Sequence, residues 1–237
     1  MRRYLYLLAA LASVPVLMVS GAAAAAPAAA GVHVLTLGKP GGPNVKPGTV
    51  LVTKAVKGGA VVFTAGSVTV TCTSDSITST VVKNPVAPGT AIESVTAVSI
   101  GKCTANVVGV TVTSMKALNL PYSSSLSSAA GFPIVVTGQS TSKPIEVTSV
   151  VAEPAGTATC TYKAAAIHGT FSNTGSLTTI SNQAFTLVSG SSACPNTAKL
   201  SARRLTKQQK VGRVAVCANS GLSAVRRYGT RQRAPRS

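Results

Sequence analysis

Hydrophobic and polar positions alternate along most of this chain. Val50 and Val52 alternate with polar neighbours, Lys57-Gly58-Gly59 reads as a chain-reversing turn, and Val61 and Phe63 lead to Gly66. Val68, Val70 and Cys72 share one face of the next run, Asn84-Pro85 and Pro88-Gly89 mark a loop, and residues 91–100 read as extended again. Val108, Val110 and Val112 follow, then a serine-rich connection at 123–128, then Ile134 to Val136. Ile145, Val147, Ser149 and Val151 lie on one face, Ala158, Cys160 and Tyr162 on another, and extended stretches near 176–188 and 196–201 complete the body. A period of two sends successive side chains to opposite faces of a strand. Broken by turn residues at roughly eight-to-twelve-residue intervals, it predicts an all-β fold, immunoglobulin-like β-sandwich in type. No stretch of the body carries a helical period.

A weak internal repeat divides that body. Thr69-Val70-Thr71-Cys72-Thr73 is echoed by Thr157-Ala158-Thr159-Cys160-Thr161, and a second cysteine follows each, Cys103 and Cys194. The repeat suggests two related sandwich halves, 29–120 and 131–202, each with its own staple. Of the three pairings open to four cysteines it favours Cys72–Cys103 and Cys160–Cys194. A fifth cysteine, Cys217, is left over. The core is built from Val, Ala and Thr with no Trp and only four Phe, so each residue buries little apolar area and covalent staples matter.

The two ends differ from the body. Met1-Arg2-Arg3 precedes an apolar run from Tyr4 to Val19 and an alanine tract, Ala22 to Ala26. A cationic start, an apolar stretch and small residues at the cut site make a secretory signal peptide, assigned to 1–28, and no membrane span is expected once it is removed. Arg2-Arg3 is compatible with twin-arginine export, and the general route stays open beside it. Export implies an oxidising compartment, where cysteines pair.

Charge sharpens the division. The chain carries 22 Lys and Arg against 4 acids, a net charge of +18. Between residues 31 and 198 there are only nine lysines, four acids and no arginine. Eleven basic residues lie from Lys199 onward, and the text from Arg203 loses its Val/Thr alternation. Residues 203–237 are therefore expected to be a basic tail, disordered or translated out of frame, with the fold ending near Ala202. Such a tail suits polyanions. Export and the near absence of interleaved aromatics, Tyr228 apart, argue against a specific nucleic-acid partner.

The titratable groups of the body are Asp75, Glu93, Glu146, Glu153, His33, His168 and lysines. No Gly-x-Ser-x-Gly elbow raises a serine, and no phosphate-binding glycine loop is present. Glu146 and Glu153 are an odd number apart, on opposite faces of an unbroken strand, where glycosidase chemistry needs facing carboxylates. Cysteines and histidines have no zinc spacing. His168, in Ile167-His168-Gly169, reads as a turn-edge residue. The expectation is a non-enzyme with no cofactor.

Several turn motifs carry a resemblance: Asn-Pro-Val-Ala-Pro-Gly-Thr (84–90), Asn119-Leu120-Pro121-Tyr122, His-Gly-Thr-Phe-Ser-Asn-Thr-Gly (168–175), Ile180-Ser181-Asn182-Gln183 and Ser-Gly-Ser-Ser-Ala-Cys-Pro (189–195). Over about residues 31–202 the chain resembles a family of exported actinobacterial proteins often labelled only by their twin-arginine signal. In that family the Cys-Pro is typically followed by a strand ending near Ser-Ala-Thr-Tyr. Here Ser201-Ala202 runs into Arg203-Arg204. Those turn motifs identify relatives without naming a chemistry; the leading expectation for function is an exported, non-enzymatic module at or near the cell surface, binding a cell-wall polymer, a small hydrophobic ligand or another protein through loops on its β-fold. A narrower likeness, to the two-disulfide neocarzinostatin-type apoproteins, implies small-molecule sequestration; a secreted hydrolase is the remaining alternative.

Overall fold

The structure is a computed structural model that describes residues 31–208 and 216–218. The signal peptide expected at 1–28 and most of the basic tail lie outside them. The described residues form β1 (Leu35–Leu37), β2 (Val50–Ala55), β3 (Val61–Ala65), β4 (Val68–Lys83), β5 (Thr90–Ala105), β6 (Thr111–Leu118), β7 (Tyr122–Ser127), β8 (Pro133–Thr137), β9 (Ile145–Glu153), β10 (Gly156–Ala164), β11 (Ala166–Ser172), β12 (Leu177–Gly190), β13 (Thr197–Gln208) and β14 (Val216–Ala218). Apart from one 3-10 turn at Thr174–Ser176, no helix occurs among them. The all-β expectation holds.

The architecture is a closed barrel, not an immunoglobulin-like sandwich. β13, β3, β4, β5, β7, β8, β11 and β12 pair in that order, and β12 returns to β13, completing a ring of eight antiparallel strands. Closure satisfies the edge amides that an open sandwich leaves to short or charged edge strands. The two supposed halves are not separate bodies, because β12 and β13, from the second, pair within the same sheet as β2, β3 and β4, from the first.

Strand length makes this possible. β12 spends its first residues on β11 (Leu177↔Ser172 to Ile180↔Gly169) and its last on β10 (Thr186↔Lys163 to Gly190↔Cys160). At that far end the sheet continues through β10, β9 and β6. Those strands face β3, β4 and β5 across the main core, where Phe63 meets Tyr162 and Phe185 edge-on at ring separations of 5.3 and 5.7 Å. Bulges such as those at Thr78/Ser79 and Ile180/Gln183 bend the long strands into the ring.

Lys57-Gly58-Gly59 does not reverse the chain. β3 pairs Val61–Ala65 with Ala202–Ala198 of β13, and β2 pairs Leu51–Ala55 with Gln208–Arg204 of the same strand. The two are successive pieces of one strand position, running in the same direction between β4 and β13, interrupted by the excursion 56–60. Gly58, at φ +74, permits that excursion.

Nor does the fold end at Ala202. β13 runs on to Gln208, and Arg203 and Arg204 pair through their backbones with Thr179 and Thr178 of β12. A ladder uses only N–H and C=O groups, so loss of the Val/Thr pattern does not end a strand whose neighbours are in place on both sides. β14 pairs with β1, bringing the backbone of Cys217 opposite Thr36; the Cys217 side chain lies outside the described residues.

The segment before β2 closes one end of the barrel. Val34, Leu35 and Val45 pack with Leu51, Val81, Ala91, Leu126 and Phe171 in a second core. Asn84, itself buried, pins them: its Oδ1 accepts from the Leu35 amide at 2.8 Å, and its Nδ2 donates to the carbonyls of Leu35 and Val45 at 2.9 and 2.8 Å. Asn84→Ala strands the buried Leu35 amide and takes a donor from the Val45 carbonyl, while the Leu35 carbonyl keeps the Val45 N–H at 3.1 Å; it is expected to cost about 2–4 kcal/mol. The check is the urea midpoint, which should fall with an unchanged m-value; an unaltered midpoint would mean that water satisfies these groups.

Both expected disulfides form, Cys72–Cys103 and Cys160–Cys194. The first joins directly opposed residues of β4 and β5. The second ties β10 to the turn before β13. Closing sequence separations of 31 and 34 residues contributes about 3–4 kcal/mol each in the chain-entropy account.

Candidate functional site

The ring encloses a cavity. An eight-stranded barrel is just wide enough for side chains to fill it or to hold one small ligand. Here the inward positions carry mostly branched aliphatic residues too short to meet fully across the middle. A void of about 90 Å³ remains, walled by Ile77, Val98, Ile100, Met115, Val136 and Ile167 among others. Cross-strand register builds the wall, since Ile77 opposes Val98, Asp75 opposes Ile100, and Val136 opposes Ile167. Tyr122 stands beside it, but its hydroxyl is occupied, donating toward the carbonyls of Leu118 and Glu146.

One charged group reaches this apolar space. Arg204 lines the cavity while remaining only 5 % exposed. Its partner is Asp75, 6 % exposed, with Arg204 Nε 3.0 Å from Asp75 Oδ2. The contact is electrostatic, since the N–H is not aligned into a hydrogen bond, and neither Asp75 oxygen nor Arg204 Nη1 has a hydrogen-bond partner. Burial pushes the Asp75 carboxyl above the usual carboxylate range, against the pull of Arg204 and of the Ala55 amide, which lies close to the carboxyl but outside hydrogen-bond geometry. Burial likewise lowers Arg204, against the pull of Asp75. Desolvation therefore outweighs the attraction for both partners. A guanidinium starts so high that Arg204 keeps its proton.

A second acid, the half-buried Glu93, shifts in the same direction. Ser79 Oγ donates to Glu93 Oε2 at 2.6 Å, and burial raises the Glu93 carboxyl despite that bond. Carboxyls raised above their unfolded values of 3.8 and 4.5 give stability that is full below those values and is lost as pH climbs through the raised folded ones. Tm is therefore expected to rise as pH falls from neutrality toward those unfolded values, and Glu93→Gln to flatten that rise. Thermal unfolding followed by circular dichroism across the interval is the check; an identical slope in the variant would remove Glu93 from the account.

The residues singled out in the sequence are scattered rather than gathered. His33 belongs to the end closure, its Nδ1 2.6 Å from the Asn84 carbonyl oxygen. His168 is exposed in the middle of β11, not at a turn, and its amide donates to Gln183 Oε1 at 2.7 Å. Asp75 faces the interior, engaged with Arg204. Glu146 and Glu153 sit on one unbroken strand, β9, at positions of opposite parity. No group of three or more His, Cys, Asp or Glu among the described residues could hold a metal. Elsewhere, a surface groove of about 470 Å³ is lined by Thr137, Ser140, Thr141, Lys163 and Thr186 together with Pro144 and small residues.

The sequence alone does not mark Arg204, which lies beyond Ala202 in the stretch read as a basic tail. One signal was available: Ala198, Leu200, Ala202 and Arg204 keep the period of two, and all four positions point inward. No family model, curated protein or solved structure matches this chain.

Proposed function

We propose that this protein is an exported, non-enzymatic binding module that holds one small, largely apolar molecule inside its barrel. The observation that carries the reading is the cavity of about 90 Å³, walled almost wholly by aliphatic side chains within a closed ring. An apolar cavity stays dry and rewards an apolar guest, because water there would forfeit its hydrogen bonds. Export is supported by the signal-like N-terminus and by two disulfides, which suit an oxidising compartment. No helix among the described residues is long and apolar enough to cross a membrane. The family resemblance, an exported actinobacterial one, agrees with this setting.

Cyclopentane is a suitable probe. Saturating the purified protein with it is expected to raise Tm, by mass action on the folded state, and to shift the NMR methyl signals of Ile77, Val98 and Ile167. Val98→Phe, which fills the void, should abolish both effects. Unmoved methyl signals and an unmoved Tm in the wild-type protein would end the reading. The surface groove beside Lys163 favours a second reading, attachment to a cell-wall polymer, which sedimentation with isolated wall material tests.

A further inference from the structure

Resting on that reading, we infer that the occupant carries one uncharged carbonyl group, seated against Arg204. Arg204 is the cavity's charged group, and the hydroxyl of neighbouring Tyr122 is already spent on two backbone carbonyls. Nε lies against Asp75, while Nη1 is buried with no partner. An unmet buried donor is costly, so an acceptor brought into the cavity removes a standing penalty as well as forming a bond.

The alternatives fit less well. Water needs two to four polar partners to be held; Asp75 is not in the lining and the Tyr122 hydroxyl is spent, so the wall offers Arg204 alone. A carboxylate would put a second negative charge beside Arg204, whose charge Asp75 already balances, leaving the apolar interior with a net charge. An alcohol would satisfy Nη1 but bring an O–H donor of its own toward aliphatic walls. A ketone, aldehyde or ester carbonyl accepts without donating and adds no charge. The small void restricts it to a compact molecule, or to the tip of a larger one.

The test compares cyclopentanone with cyclopentane on the purified protein and on the double variant Asp75→Leu/Arg204→Met, which keeps an apolar interior. The ketone-to-alkane affinity ratio, measured by NMR titration, is expected to fall ~10-fold or more in the variant, the worth of a hydrogen bond to a charged donor. The carbonyl stretch of bound cyclopentanone in the wild-type protein should lie at lower frequency than in hydrocarbon solvent; this readout serves even if the variant does not fold. An unchanged ratio, or an unshifted stretch, with cyclopentane still bound overturns this inference and leaves the apolar-cavity reading intact. Failure of both molecules to bind overturns the two together.

Discussion

Arg204→Ala is expected to destabilise the fold by about 3–5 kcal/mol, the largest effect of any single side chain outside the disulfides. The loss comes from what remains. Asp75 would be left in the interior, 6 % exposed, with neither oxygen hydrogen-bonded and no other ion-pair partner among the described residues. Asp75→Ala should cost a similar amount, because a guanidinium cannot shed its proton to escape. The double variant Asp75→Leu/Arg204→Met should behave differently, lying within about 1 kcal/mol of the wild type or above it, since both desolvation penalties vanish together. Urea unfolding of the wild type, the single variants Asp75→Leu and Arg204→Met and their double variant makes a double-mutant cycle. Additive losses would show that the two groups do not act as a pair. The acid side offers a further check: Arg204→Ala should recover stability as pH falls toward the range in which Asp75 protonates, a recovery that a simple packing defect would not produce.

A chain ending at Ala202 is expected not to fold cooperatively, whereas one ending at Ala218 should. The shorter chain loses the stretch of β13 that pairs Arg204–Gln208 with Ala55–Leu51, so β2 keeps only β4 beside it. It also loses the backbone pairing of Arg203 and Arg204 with Thr179 and Thr178, and with it one end of the β12–β13 seam that closes the ring. Asp75 is orphaned as in Arg204→Ala. An opened barrel exposes a long unpaired edge, which invites association between chains. Far-UV circular dichroism and amide exchange distinguish the two chains. A sharp thermal transition of equal midpoint in the shorter chain would place the end of the fold at Ala202 after all.

Both expectations turn on why the sequence pattern does not announce the end of the last strand. The inward period of two, read through Ala198, Leu200 and Ala202, continues without a break to Arg204, but a charged residue at an inward position is credible only once its counter-charge is in view. Asp75 lies 129 residues earlier in the chain. It is also out of step with its own strand: Val70 and Cys72 point into the core, yet Asp75, Ile77, Ser79 and Val81 have the opposite parity. That change of parity falls beside the excursion 56–60 of the neighbouring strand position, which no pattern within β4 could announce.

Residue by residue, the sequence determined what local physics controls. Branched residues in a period of two made strands, their alternation marked most of the inward side chains, and the echo around Cys72 and Cys160 identified both disulfides. The tertiary structure alone decided that Lys57-Gly58-Gly59 swells out of a continuing strand, that two apparent halves share one closed ring, and that the ring keeps an apolar void with Arg204 against it. Alternation says which side of a strand is buried; it carries no information about which distant strand lies opposite, and ring closure, cavity and ion pair are all made by such distant partners.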